Sequence, residues 1–266
     1  MGAIAARVRD SRLRKIIRAF LKAGVMENGL VGPPPEEGTP QGGPLSPLLS
    51  NLVLDELDRE LEKRGHAFTR YADDCNIYVR SRRAGQRVMA GVSRFIAQTL
   101  KLKVNEAKSA VARPEERKFL GFSFTDEPTP RRRIAPRALA RFKKRVRELT
   151  RRRKGLGFAD TVKGLNAYLR GWQSYFGYCQ TPSVLAKLNG WVRRRLRCAI
   201  WRAWKRGRKR YAALLKRGVN RDAAAMAAGS AHGPWRLSRS PALHSAFPKR
   251  FFESAMLLTL TVRESA

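Results

Sequence analysis

Arg70-Tyr-Ala-Asp-Asp-Cys-Asn-Ile-Tyr-Val79 is the stretch on which the fold turns. Phe68, Tyr71, Ile77, Tyr78 and Val79 are aromatic or β-branched residues that fit a pleated, half-buried surface. Ala72 to Cys75 has the short polar character of a turn. The segment predicts a β-hairpin with Asp73 and Asp74 at its bend. Two neighbouring carboxylates repel each other unless a cation joins them. Mg²⁺ suits the task because it takes oxygen ligands, usually one or two carboxylates, and completes its octahedron with water and substrate phosphates. Asp73 and Asp74 are therefore candidate metal ligands, although an Asp-Asp bend standing alone is more often plain solvent-exposed turn.

Working outward, Ile4, Val8, Leu13, Ile16, Ile17, Phe20 and Leu21 give an approximate 3.6 period and predict one helix over residues 3–23, stopped by Gly24. Asn28-Gly29 predicts a hairpin turn within residues 25–31. Gly38-Thr-Pro-Gln-Gly-Gly-Pro44 then reads as a loop whose glycines let backbone approach a ligand closely, with Gln41 as an uncharged donor and acceptor. Ser46-Pro47 opens a helix carrying Leu49, Val53, Leu57 and Leu61, expected to pack on the sheet that bears the aspartates, with Asp55, Glu56, Asp58, Glu60 and Glu62 as its solvated face. Val88 to Leu100 predicts another helix, followed by short strands around residues 102–104 and 119–124. This first part reads as an α+β layer, helices on one face of an antiparallel sheet.

Three prolines and the Arg131-Arg-Arg133 run mark residues 125–136 as a linker. Beyond it the pattern turns helical. Leu165, Leu169, Trp172 and Phe176 form one stripe, and Leu188, Val192, Leu196 and Ile200 form another, with Arg193, Arg194, Arg195 and Arg197 directed largely away from it. The expected organisation is residues 1–124, the linker, a helical domain over 137–217, and a nucleic-acid-binding tail over 218–266.

Charge narrows the function. The chain of 266 residues has 56 Lys and Arg against 21 Asp and Glu, a net of +35. Residues 131–220 hold 28 of those cations and only two of the anions, Glu148 and Asp160. Such self-repulsion is tolerable beside a polyanion, where counterion release from phosphates supplies affinity, and the interleaved tryptophans and tyrosines favour nucleic acid over anionic lipid. Cys75, Cys179 and Cys198 are odd in number and widely spaced, which reads as reduced thiols in the cytoplasm. No apolar run approaches the roughly 18 residues of a membrane span, so a soluble, intracellular protein without a membrane partner is expected.

Gly38-Thr-Pro-Gln-Gly-Gly-Pro-Leu-Ser-Pro47, Tyr71-Ala-Asp-Asp74 and Lys118-Phe-Leu-Gly-Phe122, in that order, resemble the central motifs of reverse transcriptases. Tyr168-Leu-Arg-Gly-Trp-Gln-Ser-Tyr-Phe-Gly177 and Leu188-Asn-Gly-Trp-Val-Arg-Arg-Arg195 resemble the maturase, or thumb, domain of group II intron-encoded proteins. The resemblance implies part of a right-hand polymerase palm followed by a basic all-α thumb. It implies an RNA-directed DNA polymerase that uses Mg²⁺, deoxynucleoside triphosphates, an RNA template and a DNA primer, and that helps its own intron RNA to splice. Asp73 matches the family's metal-ligand aspartate and Asp74 its neighbour. Lys108 matches the cation near the nucleotide phosphates. Gln41, Gly42 and Gly43 match the template and nucleotide pocket, and Gly121 the hairpin that grips the primer. Arg193, Arg194, Arg195 and Arg197 become RNA-binding residues.

One departure accompanies the match. The family carries a further metal-binding aspartate, and fingers, upstream of the first helix seen in this chain; Asp10, in a basic helical stretch, does not take that role. The resemblance thus implies an N-terminally shortened polymerase, complemented by a separate N-terminal piece; a second copy of the chain, forming a homodimer, is the other expected protein partner. The alternative is an RNA-binding maturase remnant without polymerisation.

Overall fold

The computed structural model describes residues 1–22, 26–27, 30–31, 45–151 and 157–263. These fall into two compact units, residues 1–112 and 113–266. The α+β class expected from the sequence is the one found. Among the described residues helices dominate, and the strands form three separate antiparallel pairs.

In the first unit, the helix expected over residues 3–23 is two helices, α1 (Gly2–Arg7) and α2 (Ser11–Lys22). The break has a local cause. Asp10 Oδ1 accepts from the backbone N–H of Arg12 at 2.7 Å and of Leu13 at 3.3 Å, so Asp10 caps α2 instead of continuing α1. Strands β1 (Met26–Glu27) and β2 (Leu30–Val31) pair antiparallel; the Asn28-Gly29 turn between them lies outside the described residues.

Helix α3 (Ser46–Lys63) has Pro47 in its first turn, where a missing N–H costs nothing, and ends before Gly65, whose φ of 69° only glycine adopts cheaply. Its buried stripe is Leu54, Leu57 and Leu61. Phe68, Cys75 and Ile77 of the hairpin β3 (Ala67–Tyr71) and β4 (Asp74–Tyr78) pack on that stripe. So do Val92 and Phe95 of α4 (Arg82–Phe95), together with Ile96 and Leu100 of the π-helical turn that follows it. The strand expected at residues 102–104 does not form.

In the second unit, the stretch read as a linker closes a hairpin. Strand β5 (Phe122–Phe124) pairs with β6 (Arg132–Ile134), and Glu127 and Arg131 form an ion pair in the connection. Ile134 is buried in the same core as the helices, which outweighs the prolines and arginines around it. Helices α5 (Pro136–Leu149), α6 (Phe158–Phe176) and α7 (Pro182–Ala203) bury Phe142, Val146, Leu165, Leu169, Trp172, Leu196 and Trp201. Then follow α8 (Gly207–Leu215), α9 (Arg221–Gly229), α10 (Pro234–Leu237), α11 (Pro241–Ala246) and α12 (Lys249–Ser254).

The residues expected as a tail complete this core. Leu237, Leu243, Phe247, Phe252 and Leu260 are buried with the side chains of α5 to α8. The last described residues run extended beside α6 and α7, held by side-chain amides. Asn166 donates to the Met256 carbonyl at 2.7 Å and accepts from Leu258 N–H at 2.9 Å. Asn189 does the same for both backbone groups of Leu260, at 2.8 and 2.9 Å.

Candidate functional site

Tyr71 pairs with Asp74, so the loop between β3 and β4 consists of Ala72 and Asp73 alone. Asp73 sits at the bend as expected; Asp74 is the first residue of β4 rather than a bend residue. Side chains alternate across a strand and directly paired residues share a face. Phe68 and Arg70 therefore point with Ile77 and Cys75 towards α3, while Tyr71 and Asp74 lie on the opposite, solvent face. Both aspartates are exposed, and among the described residues neither has an ion-pair partner. Ala72 has φ of 52°, the left-handed region, which costs a residue with a Cβ about 1–2 kcal/mol.

Arg70 reaches that bend from below. Its Nε and Nη2 donate to the two carboxylate oxygens of Asp58 at 2.7 and 2.5 Å, and its Nη1 donates to Asn51 Oδ1 at 3.0 Å and to the Ala72 carbonyl at 2.8 Å. Donating to Asp58 raises the Arg70 pKa despite the opposing effect of burial. Burial, helped by Asp58, pushes the Cys75 thiol up, so it stays protonated beside the clamp. Asp58 is thus no part of a solvated face, and Asp55 too is engaged, by Arg7 and Arg59. The sequence carried a signal for this: Asn51 and Asp58 stand in the same helical row as Leu54 and Leu61, three or four residues apart, which is the core side of α3.

Lys108 lies in a turn where its backbone N–H meets Asn105, and its side chain is exposed. Gln41, Gly42 and Gly43 lie outside the described residues. Gly121 belongs to the second unit, not to the one with the aspartates. Phe119 and Phe122 exchange backbone hydrogen bonds at 2.9 Å around Leu120 and Gly121, whose φ values of 51° and 79° match the doubly left-handed hairpin turn. Tyr175 Oη donates to the Leu120 carbonyl at 2.8 Å, and a Cβ at Gly121 would stand 3.1 Å from the Phe176 ring.

The arginine run of α7 requires a correction. Arg197 is buried, with Nε and Nη2 on the Phe247 carbonyl at 3.0 and 2.8 Å, so it ties α7 to the end of α11 and presents no charge to RNA. Arg194 lies 3.6 Å over the Trp235 ring and donates to the Trp235 carbonyl and to Ser238 Oγ. Arg195 donates to Thr150 Oγ1 at 3.1 and 3.3 Å. Arg193 is half-buried. A 3.6-residue repeat spreads four basic residues in five positions around the helix, so some must face the core.

What emerges instead is a composite face. Arg147 of α5 lies over Trp191 of α7, and Arg194 and Arg195 flank Trp235 of α10. Burial lowers the pKa of Arg194, assisted by repulsion from Arg239; burial likewise lowers that of Arg195, with Arg202 and Arg147 adding to it. Among the described residues none of these five arginines is paired with a carboxylate. Trp235 and Arg239 lie beyond the apparent end of the helical repeat, and their neighbours Arg194 and Arg195 come from α7, far earlier in the chain.

Among the described residues, the hairpin thus presents carboxylates without ion-pair partners and the helical unit presents guanidiniums without carboxylate partners. Comparison supplies the class. Residues 4–124 match the family described as reverse transcriptase (RNA-dependent DNA polymerase), and residues 139–218 match the group II intron, maturase-specific domain. The group II intron-encoded protein LtrA of Lactococcus lactis subsp. cremoris is 46% identical over 59 residues, 22% of this chain and 10% of that protein. Protein YkfC of Escherichia coli (strain K12) is 42% identical over 64 residues, 24% of this chain and 16% of that protein. The matched part thus spans between a tenth and a sixth of these relatives. The chain joins a reverse-transcriptase part to a group II intron maturase-specific part. Among the described residues no helix is long and apolar enough to cross a membrane.

Proposed function

We propose that this chain takes part in RNA-directed DNA synthesis for a group II intron and binds the intron RNA, with Asp73 and Asp74 as the carboxylates for Mg²⁺. The observation that carries the polymerase reading is the pair of exposed carboxylates, Asp73 at the bend and Asp74 at the start of β4, without ion-pair partners among the described residues. Their oxygen donors fit Mg²⁺, which needs only one or two carboxylates beside water and phosphates. When bound, the metal would ease deprotonation of a primer 3′-hydroxyl and neutralise charge on the transferring phosphate. The chain's own residues do the rest. Asp73 would hold the metal against which the reacting phosphate of a deoxynucleoside triphosphate is placed, and Asp74, on the solvent face of β4, would add a second anionic donor to it. Lys108 supplies a cation for the pyrophosphate, Gln41, Gly42 and Gly43 the seat of the template–nucleotide pair, and the turn of Leu120 and Gly121 a backbone surface for the DNA primer.

Primer extension on an RNA template with Mg²⁺ and deoxynucleoside triphosphates tests this. Asp73→Ala lowers the rate by about 10³-fold or more if the carboxylate belongs to the catalytic unit; equal extension by the variant sinks the proposal.

A second reading, RNA binding without polymerisation, is favoured by one observation: among the described residues Arg147, Arg194, Arg195, Arg202 and Arg239 have no carboxylate partner. Here the composite face of Arg147, Trp191, Arg194, Arg195, Arg202, Trp235 and Arg239 carries the function. Its guanidiniums would neutralise phosphates and its tryptophans would stack on unpaired bases. This reading gives salt-dependent binding to structured intron RNA that survives Asp73→Ala.

A further inference from the structure

We infer that Arg70 is a positioning residue for the Asp73 carboxylate, acting through the carbonyl of Ala72. The inference rests on the reading of Asp73 as a metal ligand and adds to it the device that aims that ligand.

The bend has little intrinsic reason to hold its shape. A two-residue hairpin loop with a left-handed first residue ordinarily uses glycine, asparagine or aspartate there, and this chain has alanine. Two adjacent carboxylates, Asp73 and Asp74, repel one another and push the tip towards any conformation that separates them. Something outside the loop must select the observed backbone.

Arg70 is placed to do so. The Asp58 carboxylate engages Nε and Nη2 together, a fork that fixes the plane of the guanidinium as well as its position. With the plane fixed, Nη1 is left pointing along one direction, where it meets Asn51 Oδ1 and the Ala72 carbonyl. The side chains of Arg70 and Asp58 are only 13% and 24% exposed, so water competes weakly for these donors. Asp58 and Asn51 both stand on α3, which the Leu54, Leu57 and Leu61 stripe anchors under the apolar part of the same hairpin. The tip is therefore tied to the helix on which its base already rests. A lysine at 70 would retain a charge opposite Asp58 but has no planar fork, and could not serve Asp58 and Ala72 at once.

Three variants of the full chain separate positioning from mere stability. Arg70→Lys and Asp58→Asn probe the fork. The exchanged pair, Arg70→Asp with Asp58→Arg, restores opposite charges between the strand and α3 but takes the donor away from Ala72. The readouts are thermal unfolding, backbone amide chemical shifts, and Mn²⁺ affinity from paramagnetic broadening of the Asp73 amide. Positioning gives a Mn²⁺ affinity about 10-fold weaker in all three variants, and displaced amide shifts at Ala72 and Asp73 with Thr69 and Asn76 little changed. The exchanged pair recovers thermal stability without recovering affinity. An Arg70→Lys chain with parental Mn²⁺ affinity and parental shifts at Ala72 and Asp73 overturns the inference, as does recovery of affinity by the exchanged pair. Should Asp73→Ala bind Mn²⁺ as the parent does, the metal reading fails instead. The inference is then decided by the amide shifts of Ala72 and Asp73 in Arg70→Lys: displacement retains Arg70 as the clamp of the bend, and no displacement removes it.

Discussion

Arg70 in the first unit and Arg195 in the second are both partly buried guanidiniums, yet their surroundings differ. Arg70 faces a carboxylate that matches its charge and geometry, Asp58, at 2.5 and 2.7 Å. Arg195 has a neutral partner, Thr150 Oγ1, and the nearby charges of Arg202 and Arg147 repel it. In the first unit Arg70 is neutralised by Asp58, while Asp73 and Asp74 stand exposed, without ion-pair partners among the described residues. The second does the reverse, burying a large apolar core and leaving cations uncompensated. A metal site needs isolated anions held rigidly; a surface for RNA needs cations whose counterions are loosely held and can be released. On the proposed reading, Asp73 and Asp74 receive a cation and the arginines of the second unit receive phosphates.

The strongest way to break the contrast is to remove the core on which the second unit depends. Ten of the 24 residues of its buried cluster, from Val219 to Leu260, lie after Gly218. A chain ending at Gly218 is expected to lose the cooperative unfolding of residues 113–218 altogether, read by circular dichroism on heating, although it retains the whole maturase-specific match. Next in size is Gly121→Ala. It places a Cβ at φ of 79° and 3.1 Å from the Phe176 ring, and should cost about 1–2 kcal/mol in urea unfolding.

Smaller effects sharpen the electrostatic side. Arg239→Gln should weaken RNA binding evenly across sequences and reduce the slope of log affinity against log salt by about 1, measured by filter binding. His244 is the mildest probe. Burial lowers its pKa, and Arg197, 3.4 Å away, lowers it further. A depressed histidine is neutral in the folded state, so its contribution is complete above the ordinary value of about 6.5 and is lost as pH falls through the folded value. His244→Gln should flatten the fall in the urea midpoint between neutral and mildly acidic pH.

The hairpin was legible in the sequence because its signal is local: apolar alternation on both sides of a short polar turn. The stripe on α3 was legible for the same reason, through Leu57 and Leu61. Asp58 was not, because a carboxylate on the core side of a helix is explained only by Arg70, twelve residues further on across a strand. The same holds for Arg197, whose partner is a backbone carbonyl 50 residues away, and for the hairpin of β5 and β6, where buried Ile134 is outnumbered locally by proline and arginine. The residues after Gly218 were illegible as a core for want of period: α9 to α12 are helices of four to nine residues, too short to show a stripe. Asp10 shows the converse, a single capping side chain ending a periodicity that runs on in the sequence.

Asn166 and Asn189 hold the final extended segment by its peptide groups, not by its side chains. Docking of that kind leaves side-chain identity free except where a side chain enters the core, as Leu260 does. Met256 and Thr259, whose side chains are exposed, can then be replaced by a cysteine for a dye or a spin label without loosening the segment. The chain thus carries, against the basic unit, a ready address for a reporter that would follow RNA as it arrives.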